Sequence, residues 1–462
     1  MRSEDRLLAA WEETLARKRD APAIFNVDAT VARTFLQIDD EARQFECKLN
    51  KFIAGNAIAV QIGNHESWLA VFIACLRRGL VVLPLDRSIS EVQRNAAFKT
   101  CGVVAAAMTG GREIKLPPAV TPAATIHCEN PPSLLKLTSG TTGEPRMIRF
   151  RSEQLLADGN QICETMGIED VDLNFGAIPI SHSYGFSNLL TPLIARGVPL
   201  VLSRDRTPRA LLLDLARTNA TVFAGTPAFY QALAEIDDPP KLPRLRLCIS
   251  AGAPLPIAVA RKFQERFKLP IHSFYGASEC GGICYDREAV NEIEGFVGQP
   301  MKDVDVVMID GNAEVSHVRV HSAATGDGYF PQENREKLGN GVFTPDDLLT
   351  KTAQGFRLVG RVSDVINVAG KKVHPAEVEA QLRRFAGVRE AVAFGRQSTL
   401  RNEEVAACVV AEHKVTEGAL LEFCRQHLSS WQVPRRIFIV NELPVNERGK
   451  ISRRELARRF AA

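Results

Sequence analysis

Residues 135–147 read LKLTSGTTGEPRM. Leu135 and Leu137 lead into Thr138-Ser139-Gly140-Thr141-Thr142-Gly143, and Glu144-Pro145-Arg146 follow. Four hydroxyls, two glycines, a proline and a cation thus fall within nine residues. Glycines let the backbone turn consecutive N–H groups toward one ligand, and small hydroxyls donate without bulk, which suits a polyphosphate. This is not the P-loop of kinases and ATPases, which needs G-x-x-x-x-G-K-[ST] opening a helix. Pro145 stands two residues past the second glycine, so no helix runs straight through. Composition alone would also suit a Gly/Ser/Thr linker; the order of the residues is the more specific signal.

At 462 residues the chain exceeds what one core holds, and two or three domains are expected. It is 45% hydrophobic and 24% charged, which is ordinary for a globular protein. A net charge of +3 is nearly balanced and calls for no nucleic-acid partner. The ten cysteines occur singly. Cys280 and Cys284 are the closest pair, with no His or Cys set at zinc spacing beside them, so reduced thiols are expected. The start, MRSEDRLLAAWEE, has a charged helical pattern and no apolar core of signal-peptide length. The most apolar run, residues 68–85, carries Arg77-Arg78-Gly79 in its middle and reads as a helix then a buried strand, not a membrane span. The expectation is a soluble, cytoplasmic protein.

Residues 1–130 alternate helical patterns with short apolar strands: 57–62 a strand, 66–78 a helix, 80–85 a strand ending at Asp86. That rhythm argues for a parallel sheet covered on both faces. A second series follows the hydroxyl-rich loop, with strands expected at 174–180, 200–202, 220–225, 245–250 and 271–274. Past Glu294 the texture changes to short β segments joined by Gly, Asp and Asn turns, which suits an antiparallel or barrel-like part. Beyond a boundary near Gly360–Asp364, helical patterns at 375–385 and 417–427 alternate with strands at 390–394, 405–411 and 437–440. The predicted fold class is α/β. Residues 1–361 form a large domain of two parallel-type α/β subdomains plus a small β-barrel-like part, and residues 362–462 form a small mobile α+β domain. Residues 361–462 hold 18 Lys/Arg against 12 Asp/Glu. This basic excess is either a solvated face or a surface for an acidic partner.

Four further segments carry chemistry. Pro179-Ile180-Ser181-His182-Ser183-Tyr184-Gly185 ends a strand and opens a helix, which puts His182 where open α/β sheets bind ligands. Ser250-Ala251-Gly252-Ala253 follows another strand with residues small enough for a flat ring to approach. Phe274-Tyr275-Gly276-Ala277-Ser278-Glu279 sets an aromatic, a glycine, a hydroxyl and a carboxylate at the next strand end. Leu443-Pro444 through Gly449-Lys450-Ile451 places one lysine in a proline- and glycine-marked turn.

In their order these segments, with T-S-G-T-T-G-x-P-R, resemble the adenylate-forming (ANL) superfamily of acyl- and aryl-CoA ligases, adenylation domains and luciferases. The resemblance runs from Pro84-Leu85-Asp86 to Arg453 and includes the family's G-x-V-G-x-P at Gly295–Pro300. It implies an enzyme using ATP, Mg²⁺ and either CoA or a phosphopantetheine thiol. A small carboxylic acid would be joined to AMP with release of pyrophosphate, then passed to the thiol.

The resemblance also implies roles for particular residues. ATP would be held by Thr138, Ser139, Gly140, Thr141, Thr142, Gly143, Arg146, Ala251, Gly252, Ala253, Phe274, Tyr275, Gly276, Ser278, Asp347 and Arg361. Glu279 would hold Mg²⁺, and the catalytic residues would be Lys450, Glu279 and His182. The acyl pocket would draw on His182, Ser183, Tyr184, Phe223, Gly225, Gly252, Gly276 and Cys280, a mixed set that suits aryl or medium acyl acids. Gly370 and Lys371 would line the thiol entry, and Ser363 would be the hinge about which Lys450 swings. Adenylation domains for amino acids keep an Asp near the His182 segment. No acidic residue stands between Pro179 and Asn188 here, so a substrate ammonium would lack its counter-ion and a plain acid is favoured.

Arg146 replaces the family's usual Lys, Met147 a common Gly, Pro345-Asp346 a T-G, and Ser363 an Asp or Lys. These departures suggest an outlying branch. Two alternatives to a CoA ligase stand: an acyl-AMP ligase that loads an acidic acyl carrier protein and, on these departures, a degenerate nucleotide or acyl-adenylate binding protein without turnover.

Overall fold

The strands Ala57–Gln61 and Val81–Pro84 are buried at every position, as parallel strands covered on both faces require. The helix between them, Trp68–Arg77, buries nine of its ten residues. A helix apolar all round belongs inside a fold, and Trp68, Phe72 and Phe186 meet there at 5.5 to 5.8 Å between ring centroids. The computed structural model describes residues 5–110, 113–117, 131–138, 146–204, 207–311, 313–368, 371–398, 402–412, 414–443 and 452–460. Two compact units result. The first comprises Met1–Val307, Arg319–Pro345 and Ala353–Phe356, and the second Met308–Val318, Asp346–Thr352 and Arg357–Ala462. The expected break after residue 361 therefore lies inside the second unit.

The first unit holds two α/β sheets. One is ordered Gly328–Phe330, Arg146–Phe150, Leu134–Thr138, Val81–Pro84, Ala57–Gln61, Val103–Gly110, Glu113–Lys115, parallel at its centre and antiparallel at its edges. The other runs Ile271–Ala277, Leu247–Ser250, Val222–Gly225, Asn174–Gly176, Leu200–Leu202 and Pro22–Phe25, all parallel, and Val31–Thr34 pairs antiparallel at the end. Gly281–Tyr285 and Phe296–Pro300 add to it antiparallel. Among the described residues Phe296–Pro300, Val315–Ser322, Leu338–Gly339, Val342–Phe343 and Asp347–Lys351 make antiparallel ladders and close no barrel. Under the second sheet Phe175, Phe223, Tyr230 and Phe263 pack edge to face in a row, at 6.1, 5.4 and 5.1 Å. Each such contact adds about 1 kcal/mol beyond area burial.

The strand expected over 174–180 stops at Gly176. Pro179 lacks the N–H a ladder needs, and Asn64 takes over. Its Nδ2 donates to the carbonyls of Gly176 (3.1 Å) and Ile178 (3.0 Å), and its Oδ1 accepts from the Ile180 N–H at 2.9 Å.

In the second unit Val388–Ser398 and Asn402–Ala411 form a long antiparallel pair. Ile366–Val368 with Lys371–Val373, and the parallel Arg436–Ile439, flank Asn402–Ala411. Val378, Leu382, Leu420 and Cys424 of the helices Pro375–Arg383 and Glu417–His427 fill one core, and Leu443, Leu456 and Phe460 pack into another with Phe394 and Cys408. The closing helix Arg453–Arg459 lies outside the elements read from the sequence. Among the described residues no helix is long and apolar enough to cross a membrane.

Candidate functional site

The hydroxyl-rich loop joins the two strands of a hairpin. Thr138 stands opposite Arg146, and its hydroxyl donates to the Arg146 carbonyl at 2.9 Å. Ser139, Gly140, Thr141, Thr142 and Gly143 lie outside the described residues. What leaves the loop is the strand Arg146–Phe150, not a helix.

Arg146 lays its guanidinium over the ring of Tyr329, 3.4 Å from the centroid, and the Tyr329 hydroxyl donates to Glu279 Oε1 at 3.1 Å. Tyr329 arrives on Gly328–Phe330, which pairs with Arg146–Phe150. The turn before it is anchored by Asp327, which accepts from Arg151 Nε (2.8 Å) and Nη2 (3.1 Å) and from Gln154 Nε2 (2.7 Å). Tyr329 did not figure in the sequence reading, because nothing in its local pattern marks it.

Behind this row lies Lys136, an almost fully buried ammonium over the rings of Phe150 (4.4 Å) and Phe186 (5.7 Å). Burial lowers its pKa, and the charges of Asp158 and Glu279 oppose that. Asp158 in turn accepts from the Ser187 hydroxyl and from the Gly282 N–H at 3.1 Å.

The second sheet brings the other motifs together at the carboxyl ends of its strands, with Gly225 beside Ser250 and Ser250 beside Ser273. Ala251 is held by its N–H to the Gly225 carbonyl at 3.1 Å. Gly252 follows with φ +89°, a conformation that side chains rarely adopt, and Ala253 is exposed. Phe274 and Tyr275 are buried, Gly276 is exposed, and Ser278 accepts from the Ser183 hydroxyl at 3.0 Å. Tyr184 packs on Phe274 and shares its hydroxyl between the carbonyls of Gly225 (3.2 Å) and Ile249 (3.1 Å), and burial pushes that phenol well above its ordinary pKa.

The turn into this segment requires Gly185. A Cβ there would overlap the Pro179 carbonyl, against which the helix start packs. Two of the expected acid contacts sit elsewhere. Phe223 has no exposed surface and belongs to the aromatic core, since its strand is covered on both faces. Cys280 is likewise fully buried, and burial pushes its thiol well above the usual range.

His182 leaves its strand end with a half-exposed ring, Nε2 3.1 Å from Asp86 Oδ2. Asp86 stands at the end of Val81–Pro84 in the other sheet and borders a cavity of about 250 Å³ that Arg87, Pro179 and Arg204 also line.

In the second unit Asp347 is buried and accepts from Arg361 Nε at 2.8 Å. Ser363 lies on the short 3₁₀ turn Val362–Asp364. Lys371 caps the Trp431 ring at 3.7 Å. Gly370 and Lys450 lie outside the described residues. Downstream of Lys450, Arg453 donates to Asp364 Oδ2 (2.6 Å), Glu379 Oε1 (2.7 Å) and the Ala393 carbonyl (3.0 Å).

Thr138 and Arg146 at the hairpin, Glu279 joined to Arg146 through Tyr329, and small residues at parallel strand ends are the parts that a nucleotide-binding α/β fold calls for. Known proteins agree. Residues 109–329 match the AMP-binding enzyme model, and residues 377–450 match the AMP-binding enzyme C-terminal domain. A 3,4-dihydroxybenzoate–[aryl-carrier protein] ligase of Bacillus anthracis is 30% identical over 328 residues, 70% of this chain and 73% of the relative. A probable CoA ligase of Humulus lupulus is 26% identical over 458 residues, 88% of this chain and 87% of its own. The ATP-bound crystal structure of MatB from Rhodopseudomonas palustris superposes with a TM-score of 0.87 at 19% identity, covering 99% of both chains. The chain belongs to the adenylate-forming superfamily of AMP-binding enzymes, whose members here are acyl- or aryl-CoA ligases and carrier-protein ligases.

Proposed function

We propose that the protein is an ATP-dependent carboxylic acid–thiol ligase that forms an acyl-AMP with release of pyrophosphate and passes the acyl or aryl group to CoA. The observation that carries this reading is the row Arg146–Tyr329–Glu279 beside the hairpin that presents Thr138. The first half-reaction must bring a carboxylate to the α-phosphorus of ATP and stabilise charge on phosphoryl oxygens, so positioning and electrostatics carry it. Thr138 to Gly143 and Arg146 would hold the β- and γ-phosphates. Ala251 to Ala253 and Phe274 to Gly276 would take the adenine, Ser278 the α-phosphate, and Asp347 with Arg361 the ribose. Lys450 would bridge the carboxylate and the α-phosphate, delivered by residues 362–462 turning about Ser363. The turn back would bring Gly370 and Lys371 to the adenylate for thiolysis. His182, Ser183, Tyr184, Gly225, Gly252 and Gly276 would face the acid.

Among the described residues no group of three or more His, Cys, Asp or Glu could cage a metal ion, and Glu279 offers a single carboxylate oriented by Tyr329. That set suits Mg²⁺, which keeps several waters and binds through one carboxylate plus substrate phosphates. When bound, it supplies positive charge to the phosphate oxygens.

The test is pyrophosphate release over a panel of aryl, short, medium and long acids, followed by AMP release with CoA. Pyrophosphate with no acid of the panel would overturn the reading. A second acceptor is favoured by the aryl-carrier relative and by the excess of 18 Lys/Arg over 12 Asp/Glu in residues 361–462. A phosphopantetheinylated carrier protein that releases AMP where CoA does not would establish it.

A further inference from the structure

Asp86 and His182 come from different sheets of the first unit, 96 residues apart in the chain, and meet at 3.1 Å through Nε2 of the ring. The carboxylate is itself fixed. Its Oδ1 accepts from the Ser88 N–H (2.8 Å) and the Ser88 hydroxyl (2.6 Å), and the Asp86 carbonyl accepts from Gln61 Nε2 at 3.2 Å. The hydrogen bond from His182 holds the Asp86 carboxyl far below the usual carboxylate range, burial opposing and Ser88 assisting, so the group is an acceptor throughout the working pH range. The His182 backbone is held as well, its N–H on the Pro179 carbonyl at 3.1 Å and its carbonyl taking the Phe186 N–H at 2.8 Å. Against an ionised acceptor the ring places its Nε2–H, which leaves Nδ1 as the only ring nitrogen free to serve a bound reactant.

The proposed reaction has one place for such an atom. The acid enters as a carboxylate and needs no base, and ATP gives up pyrophosphate without losing a proton from the acid. The thiol, with an ordinary pKa of about 8.5, is the co-substrate that must shed a proton to become a nucleophile. We propose that Asp86 is a positioning residue that commits Nε2–H of His182 to its carboxylate, so that Nδ1 takes the proton of the attacking thiol. In that step the S–H bond breaks toward Nδ1 and the sulfur pair forms the C–S bond at the adenylate carbonyl. The C–O bond to the phosphate then breaks with release of AMP, and the imidazolium, stabilised by Asp86, returns its proton to water. The inference rests on the acid–thiol ligase reading above.

The test starts from supplied benzoyl-AMP and octanoyl-AMP, so the first half-reaction is bypassed. With CoA, Asp86→Asn should slow thiolysis roughly 10- to 100-fold, less than the roughly 10²- to 10⁴-fold of a lost general base because the imidazole remains, and by more than it slows pyrophosphate release. With 4-nitrothiophenol, already ionised at neutral pH, the deficit should vanish. In a His182→Ala background, Asp86→Asn should cost nothing further. Unchanged thiolysis by Asp86→Asn, a deficit indifferent to thiol acidity, or additive losses would each overturn the proposal. If Asp86→Asn fails to fold, His182→Ala compared on the two thiols answers the same question. Wild-type protein that thiolyses the supplied adenylates but releases no pyrophosphate with any acid overturns the ligase reading and leaves this test intact. Wild-type protein that thiolyses neither adenylate overturns the role of the pair.

Discussion

The hydroxyl of Tyr329 donates to Oε1 of Glu279 at 3.1 Å while the face of the same ring carries the Arg146 guanidinium. One buried aromatic thereby sets the spacing between a cation suited to phosphate oxygens and a carboxylate suited to a hard metal ion. Among the described residues no ion pair joins the two charges.

Removing only that hydroxyl isolates the orienting bond. Tyr329→Phe keeps the ring under Arg146 and removes one of the bonds that orient Glu279. Hydrogen bonds to charged groups contribute about 1.5 to 3 kcal/mol when buried, and this half-buried one should be worth less. The expectation is a roughly 3- to 10-fold rise in KM for Mg·ATP with a small change in kcat. Pyrophosphate release against Mg·ATP concentration measures it, and an unchanged KM would deny Tyr329 that role. Glu279→Ala should weaken Mg·ATP use further.

Lys450→Ala separates the half-reactions. Adenylate formation should be abolished, because no other group is assigned to bridge the two anions, while thiolysis of supplied acyl-AMP should stay largely intact. Equal loss of both, read by pyrophosphate release and by thioester formation, counts against the assignment.

Arg453 is the keystone of a charge network in the second unit, tying the start of the last helix to Asp364 and to the buried Glu379. Arg453→Met leaves Glu379 with a buried charge and, among the described residues, the Ala393 N–H as its donor, at 2.9 Å. Breaking such a pair from one side costs about 3 kcal/mol. Urea unfolding followed through this unit should show that loss, and Asp364→Asn, which removes a more exposed partner, should cost less.

Acid should expose a different network. Burial raises the cost of a charged Asp172, yet bonds from Arg246, the Glu169 N–H and the Thr221 hydroxyl outweigh it and hold its carboxyl below the ordinary value. A folded-state pKa that is depressed contributes stability above the unfolded value of about 3.9, and that stability is lost as pH falls through the folded value. Asp172→Asn should therefore lower Tm most at neutral pH, and the gap to wild type should close below about pH 4. A gap that stays constant with pH, measured by calorimetry, would show that the carboxylate charge is not what matters.

The alternation of strands and helices, the change of texture past Glu294 and the helix Glu417–His427 were legible because apolar periodicity is a local property. Strand ends were read too long where a side chain from elsewhere terminates the ladder, as Asn64 does beyond Gly176. The order of motifs placed Thr138, Arg146, His182 and Glu279 as candidates. Tyr329 was missed, and Asp86 was noted as a strand end and as the start of the family resemblance but given no role, since their partners lie 50 and 96 residues away. Phe223 and Cys280 were misplaced for a related reason, because an aromatic or a thiol at a strand end reads the same whether its neighbours bury it or leave it open.

Linear order thus carried the family, the parallel α/β layering and the identity of most reactive groups, because glycine, proline, hydroxyl and charge constrain the backbone within a few residues. Which carboxylate faces His182, which ring spaces Arg146 from Glu279 and which arginine holds the last helix were settled by folding. Those pairings join separate strands and helices, and their distances exist only once packing has placed both backbones.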